Sequence, residues 1–301
     1  MSTIRILERE MTDAEFARRC AGSHEYTIEQ GNPVQTTEQF SFVALDGETY
    51  IGCATADVYL NGSAYNGWAY LTSLFIEKPY RSQGLGAAVL LKLEDRIRGL
   101  GIGNIWTRTS GHEARGFYVK QGYQVIFELQ GQHPSGQSHI GLRKTLGSSP
   151  CPHDTDAIHI VERAMTDAEF DRMNAGFDEH TLEHGNLLAT SERHGFVALD
   201  GEDFIGCVSG VTYKSDLGYN KWFNLSDLFV EKAYRGQGLG TDLLRNMDGR
   251  AVLLGARDVM VIRIAGYEAL GFFRKHNYEV YCELEDWYTN GHSRFSLRKT
   301  L

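Results

Sequence analysis

The chain is written twice. Met11-Thr-Asp-Ala-Glu-Phe16 returns as Met165-Thr-Asp-Ala-Glu-Phe170, 154 positions later. Phe42-Val-Ala-Leu-Asp-Gly-Glu48 returns at Phe196 to Glu202, Ile51-Gly-Cys53 at Ile205-Gly-Cys207 and Trp68 at Trp222, all at that offset. One single-residue slip near 103–107 moves the offset to 155, and Leu142-Arg-Lys-Thr-Leu146 then matches Leu297-Arg-Lys-Thr-Leu301. Ordered repeats of this length mark a tandem duplication, so the chain must fold as two units of one type. The copies span 1–146 and 155–301, joined over 147–154 by Gly147-Ser-Ser-Pro-Cys-Pro-His-Asp154, a short polar linker with two prolines. Such a linker predicts a pseudo-dimer, in a chain that is either a monomer with that internal pair or a homodimer.

The 301 residues give each copy enough chain for its own core, and 42% hydrophobic with 23% charged residues is ordinary for a globular protein. The formal net charge is −9, spread as −1 over residues 1–150 and −8 over 151–301. An acidic chain without a Lys/Arg run repels a phosphate backbone, which argues against nucleic acid as partner. No apolar run approaches the roughly 18–20 residues of a membrane span, and the start, Met1-Ser-Thr-Ile-Arg5, has no apolar signal core. The five cysteines, Cys20, Cys53, Cys151, Cys207 and Cys282, are odd in number and form no CxxC pair, so free thiols in a reducing cytoplasm are expected. Cys151 and His153 close no tetrahedral ligand set, and no metal is expected.

Each copy reads as mixed α and β. Ile4–Glu8 alternates like a strand, and Thr12-Asp-Ala-Glu15 is a capping box that starts a helix, repeated at Thr166–Glu169. Phe40–Leu45 turns at Asp46-Gly47 into Tyr50–Tyr59, a hairpin, followed by a strand over Tyr70–Glu77. Gly84–Arg98 has helical period; Ile105–Thr109 reads as strand, Glu113–Gln121 as helix, Gln124–Leu129 and His139–Leu142 as strands. The order β-α-β-β-β-α-β-α-β-β predicts an α+β fold: in each copy a mixed central sheet with helices on both faces.

The chemistry starts where an apolar strand meets a helix, at Tyr80-Arg81-Ser82-Gln83-Gly84-Leu85-Gly86 and Tyr234-Arg235-Gly236-Gln237-Gly238-Leu239-Gly240. Glycines let the backbone approach a ligand closely. The helix behind them presents unpaired N–H groups and the positive end of its dipole, an anion site suited to a diphosphate, with Arg81 or Arg235 adding charge at its mouth. The loop lacks the Gly-Lys-Ser/Thr of a Walker A sequence, and Val89 stands where a dinucleotide fingerprint needs its third glycine. The competing structural reading is a helix-starting turn, which two copies in matched settings disfavour.

With these residues the sequence resembles the GNAT superfamily of acyl-CoA-dependent N-acyltransferases over nearly all of both copies. The family signature R/Q-x-x-G-x-G/A is intact at Arg81–Gly86 and Arg235–Gly240, followed by Ala87 and Thr241. The resemblance implies that Leu74-Phe75-Ile76 and Leu228-Phe229-Val230 are the strand whose backbone holds pantetheine and the acetyl carbonyl, and that acetyl-CoA is the cofactor. Glu113-Ala-Arg-Gly-Phe-Tyr-Val-Lys-Gln-Gly-Tyr123 resembles the second motif, A-x-x-F-Y-x-K-x-G-Y/F, in which the tyrosine protonates the departing thiolate; here it is Tyr118. Without the resemblance Tyr118 reads as a core aromatic. The second copy reads Glu268-Ala-Leu-Gly-Phe-Phe-Arg-Lys-His-Asn-Tyr278, with Phe273 in place of Tyr118 and Asn277 in place of Gly122. Phe keeps the ring and loses the acidic proton, so the N-terminal copy is expected to be catalytic and the C-terminal copy degenerate.

Many relatives in that superfamily carry a glutamate base on the strand before the loop; Tyr70 and Asn224 occupy that place here. Glu25, Glu29 and Glu113, matched by Glu179, Glu183 and Glu268, are the base or amine-binding candidates, with Glu25 and Glu29 expected to follow the first helix. One turn apart, they either attract a cationic amine or form a solvated face. Asp227, opposite Ser73 of copy one, and His24 and His112, found in copy one alone, are weaker candidates. Tyr59/Tyr213, Tyr65/Tyr219 and Trp68/Trp222 line either the core or a substrate slot. The expected function is acetyl transfer to a primary amine of a small molecule, with a protein or peptide acceptor, or a non-catalytic CoA-binding sensor, as alternatives.

Overall fold

The computed structural model describes residues 4–110, 112–132, 137–147, 158–216, 218–265 and 268–301, except for the side chains of residues 112, 113, 263 and 268. The first copy runs β1 (Ile4–Glu8), α1 (Asp13–Glu29), β2 (Gln35–Asp46), β3 (Thr49–Asn61), β4 (Ala64–Ile76), α2 (Leu85–Gly99), β5 (Asn104–Ser110), α3 (His112–Lys120), β6 (Gln124–Leu129) and β7 (His139–Thr145). The second runs β8 (His159–Glu162), α4 (Asp167–Glu183), β9 (Thr190–Asp200), β10 (Asp203–Ser215), β11 (Gly218–Tyr219), β12 (Trp222–Val230), α5 (Leu239–Leu253), β13 (Asp258–Ala265), α6 (Glu268–Lys275), β14 (Glu279–Leu284) and β15 (Arg294–Thr300). The expected order holds, with the two-residue β11 as the one addition. Glu25 and Glu29 lie within α1 rather than after it, because nothing before Gln30 and Gly31 breaks the helical run.

Packing does not follow the repeat boundaries. The compact units are Met1–Val34 with Ala189–Leu301, and Gln35–Leu188. The boundaries 1–146 and 155–301 describe the repeat in sequence, whereas each compact unit takes its first strand and helix from one copy and the rest of its sheet from the other. Strand pairing shows why. β1 pairs antiparallel with β9 from Ile4 opposite Asp200 to Glu8 opposite Phe196, while β8 pairs with β2 from Phe42 opposite Glu162 to Leu45 opposite His159. We call Gln35–Leu188 the Tyr118 unit and the other the Phe273 unit.

The Tyr118 unit holds seven strands in the order β6-β7-β5-β4-β3-β2-β8, and the Phe273 unit eight, β1-β9-β10-β12-β13-β15-β14 with β11 on β10. In each, a single central pair, β4–β5 or β12–β13, is parallel and the others are antiparallel. Helices cover both faces. On one, Leu85, Val89, Leu90, Leu93 and Ile97 of α2 recur at helical spacing and are buried with Ala54, Ala56 and Leu71 of the sheet. On the other, α4 comes so close that a Cβ on Gly176 would stand 2.3 Å from the Phe75 ring; Gly22 of α1 does the same against Phe229 at 2.4 Å.

The capping boxes form as expected. Thr12 accepts from the Glu15 amide, Glu15 returns to the Thr12 amide, and Arg9 holds the Glu15 carboxylate at 2.7 Å. The hydrogen-bonded Arg9 guanidinium pulls the Glu15 carboxyl down to about 2, and Arg163 does the same to Glu169. Cys20, Cys53, Cys207 and Cys282 are free thiols; Cys151 and His153 lie outside the described residues. No helix among the described residues is long and apolar enough to cross a membrane.

Candidate active site

Each sheet opens at its parallel pair. β4 and β5 pair over Trp68–Tyr70 and Asn104–Trp106, yet β4 continues to Ile76 and β5 to Ser110. β12 and β13 pair from Trp222 to Leu225 and from Asp258 to Val261, then run on to Val230 and Ala265. The fork lies beside a bulge: the β3–β4 register shifts between Thr55 and Ala56, and the β10–β12 register shifts between Ser209 and Gly210. A bulge bends its strand and frees backbone polar groups, here next to the glycine loop.

Beyond the fork, a short 3-10 turn, Lys78–Tyr80 or Lys232–Tyr234, leads into the loop. Gly84 and Gly238 take positive φ, 82° and 92°, as the residues that cap α2 and α5. A Cβ on either would meet no protein atom within 4 Å, so packing does not require glycine there. The left-handed backbone and the open space over a helix start fit a diphosphate on main-chain amides. Arg81 and Arg235 do more than add charge: each Nε donates to the last carbonyl of the preceding strand, Ile76 or Val230, at 2.9 Å. Tyr80 and Tyr234 pin the turns by donating to Asp46 and Asp200 at 2.8 Å.

In the Phe273 unit the loop and the fork line a cleft of about 740 Å³, with Tyr26 of α1 on its wall and the Arg235 guanidinium over the Tyr26 ring. Thr241 and His276 meet at 3.1 Å beside the start of α5. Burial, then Lys299 and Arg245, holds the His276 imidazolium below its usual range.

At the fork of the Tyr118 unit the Tyr118 phenol is buried, and the Thr107 hydroxyl donates to the Leu71 carbonyl at 3.0 Å. Burial pushes the phenol well above its ordinary value. Its ring packs edge-on against Phe117 and Tyr123, so the core-aromatic reading holds. Tyr70, at the family's base position, has its hydroxyl 3.3 Å from the Arg108 guanidinium and its ring against Trp106. Sequence reading passed over Thr107 and Arg108. The signal for Thr107 was present in the comparison of the two copies, where Val261 stands at the 154 offset. The slip itself is a bulge between Val261 and Ile264, beyond 103–107 on the second-copy side.

Glu25 and Glu29 are not gathered around Tyr118. Glu25 and Glu29 belong to the Phe273 unit, where Glu25 is paired with Arg18 at 2.8 Å and Glu29 with Lys232 at 2.7 Å. Arg18 also reaches Glu231 at 2.5 Å, so these charges dock α1 onto the turn before the loop. The Tyr118 unit repeats the device with Glu179 on Arg172, Arg172 on Glu77 and Glu183 on Lys78. The Arg18 hydrogen bond lowers Glu25, and Arg172 lowers Glu179. Asp227 is held by Arg19, Arg193 and Ser209. His24 is exposed on α1, and the side chains of His112, Glu113 and Glu268 lie outside the described residues. Tyr59, Trp68 and Trp222 are buried in the core, Tyr213 is exposed, and Tyr65 and Tyr219 donate to Glu38 and Glu192.

This loop-and-fork arrangement, present twice, agrees with the comparisons. Residues 5–123 match the model of the Acetyltransferase (GNAT) family and residues 191–280 that of the Acetyltransferase (GNAT) domain, together more than half of the chain. The chain belongs to the GNAT acetyltransferases and is an acyltransferase. Among solved structures it is similar to an acetyltransferase from Bacillus cereus, 23% identical, over 46% of this chain and 96% of that one, with a TM-score of 0.39. It is also similar to the ribosomal-protein-S18-alanine N-acetyltransferase of Escherichia coli, 19% identical over 49% and 96%, TM-score 0.33. A third is Arabidopsis thaliana Naa50 in complex with a bisubstrate analogue, 18% identical over 36% and 72%, TM-score 0.31. Comparison with curated proteins returns no match.

Proposed function

We propose that the chain is an acetyl-CoA-dependent N-acetyltransferase acting on the primary amine of a small molecule in the cytoplasm, with turnover in the Tyr118 unit. One observation carries this reading: a buried phenol at the mouth of a strand fork that opens onto a glycine-loop helix start. When bound, acetyl-CoA supplies an acetyl thioester. The amides of Ser82 to Ala87 hold its diphosphate, and the β4 backbone from Leu74 to Ile76 orients its pantetheine arm. Tyr118 holds a proton at its phenolic oxygen for the sulfur that leaves. Of the proposed bases, Glu113 and the weaker candidate His112 share α3 with Tyr118, and Glu113 is the residue assigned to take the amine proton. In the Phe273 unit, Leu228 to Val230 and Arg235 to Thr241 form the matching cradle and cleft, and that unit binds CoA without a proton donor at the fork.

The test measures free thiol released from acetyl-CoA with a panel of amines, alongside calorimetric CoA binding. Two CoA molecules per chain and a loss of roughly 100- to 10,000-fold in thiol release on Tyr118→Phe are expected. Retained CoA binding with no release from any amine would replace the enzyme reading with a sensor; release with peptides alone would move the acceptor to a protein N-terminus.

A further inference from the structure

The two units differ in charge beside the fork. Asp227 of β12 stands opposite Ser209 of β10, at the bulge, and directly precedes Leu228, where the strand of the CoA cradle begins. Its side chain is 10% exposed and takes three donors. Arg19 of α1 donates to Oδ1, while Arg193 and Ser209 donate to Oδ2 at 2.9 and 2.6 Å. The repeat partners of Arg19, Arg193, Ser209 and Asp227 in the Tyr118 unit are Met173, Gln39, Thr55 and Ser73, none of them charged. Two guanidinium groups on one carboxylate leave a positive charge in excess. A pair that only docked α1 on the sheet would balance with a single arginine.

Arg19 also has donors to spare. Its Nε is buried with no hydrogen-bond partner among the described residues, and its Nη1 reaches the Cys20 sulfur at 3.6 Å. A buried donor left without a strong acceptor is costly. Arg19 and Asp227 line the same cleft of about 740 Å³ as the glycine loop, and the other Arg, Lys, Asp or Glu side chains on its wall among the described residues are Arg235 and Lys275. A diphosphate matches the positive charge at the loop. The thiol end of CoA is neutral, so it leaves the positive charge at the fork unmatched.

We propose that the cleft of the Phe273 unit binds a carboxylate-bearing small molecule, with Arg19 taking the carboxylate beside the fork. A guanidinium presents planar N–H donors that fit carboxylate oxygens, and the bond to Asp227 holds the group in place. The excess charge repels a cationic amine, so this cleft is not a second copy of the amine site proposed for the Tyr118 unit. The carboxylate is carried either on the acyl chain of a CoA thioester, which rests on the reading that this unit binds CoA, or on a free acid.

Calorimetry on the full chain tests this with two probes, succinate alone and succinyl-CoA against acetyl-CoA, in the wild type, Arg19→Met and Arg19→Lys. Methionine is what the other unit has at this place, and lysine keeps the charge but loses the planar fork. Arg19→Met should weaken succinate or succinyl-CoA by about 10- to 100-fold and leave acetyl-CoA unchanged; Arg19→Lys should weaken the same probe less. An effect on succinyl-CoA alone puts the carboxylate on the acyl chain, and an effect on succinate puts it on a free acid; either supports the proposal. Equal binding of both probes by wild type and Arg19→Met, no binding of succinate with no preference for succinyl-CoA, or an equal loss of acetyl-CoA and succinyl-CoA makes Arg19 a structural ion pair and overturns it. A melting scan shows whether Arg19→Met folds; if it does not, the Arg19→Lys comparison decides in its place. Binding of acetyl-CoA at only one site per chain removes the CoA reading of this unit, and the succinate arm then decides the proposal by itself.

Discussion

Set side by side, the two forks share a backbone and differ in chemistry. Both have one parallel pair that ends early, a bulge beside it, a glycine in left-handed conformation and a helix start. The Tyr118 unit has Thr107 and Tyr118 where the Phe273 unit has Val261 and Phe273, while the Phe273 loop adds Thr241 and His276 where the Tyr118 unit has Ala87 and Gln121. Beneath the cradle the contrast continues. Met173 of α4 packs with Cys53 and Phe75 in an apolar cluster; its repeat partner Arg19 of α1 makes an ion pair with Asp227. The backbone geometry is the same in both units although these side chains differ, because main-chain conformation at the loop does not depend on the side chains beside it.

The largest expected effect tests whether the hydroxyls are the difference that matters. In a chain silenced by Tyr118→Phe, the double change Val261→Thr with Phe273→Tyr should raise thiol release by about 10- to 100-fold. No gain would show that the Phe273 unit lacks more than its proton donor. Next in size is the docking of the helices. Gly22→Val and Gly176→Val each force a side chain into an aromatic ring and should each cost about 1–3 kcal/mol. Differential scanning calorimetry of the two variants would show whether each unit melts by itself or the chain melts as one; Gly176→Val alone should also lower turnover, since α4 backs the strand of the Tyr118 unit.

The third effect is shared by both units. Glu15 and Glu169 have folded-state values near 2, below the ordinary carboxylate value of 4.5. A depressed carboxyl gives stability that is complete above its unfolded value and is lost as pH falls through the folded one. The melting temperature should therefore drop between about pH 4.5 and 2, and Glu15→Gln with Glu169→Gln should flatten that drop. The smallest effect is backbone strain. Ser82 sits at φ 63° where its repeat partner is Gly236 at 73°, so Ser82→Gly should stabilise the Tyr118 unit by about 1 kcal/mol, read from denaturant unfolding.

Much of this was legible before any coordinates. The capping boxes at Thr12 and Thr166 announced α1 and α4 because Thr and Glu three apart satisfy the same local amides anywhere. Arg81 to Gly86 marked the loop because only a helix start with left-handed glycine needs that spacing. The end of α1 was less clear: Glu25 and Glu29 were placed after the helix, although the first stop signal is Gly31, at φ 77° just past Gln30. Their pairing with Arg18 and Lys232 was hidden, since salt bridges between a helix and a distant turn leave no periodic trace.

By itself, the sequence determined that there are two copies, what each is made of, where the glycine loops lie and which copy keeps the phenol. These are local properties, written in nearest neighbours and in repeat spacing. Tertiary structure alone decided that Ile4–Glu8 and Asp13–Glu29 complete the sheet of residues 189–301 while His159–Glu162 and Asp167–Glu183 complete that of residues 35–188. Duplication makes the two first strands and helices near-equivalent partners for either sheet, so their local interactions are degenerate. Contacts that differ between the copies choose between them: Arg19 of α1 pairs with Asp227, whereas its repeat partner Met173 of α4 packs with Cys53 and Phe75.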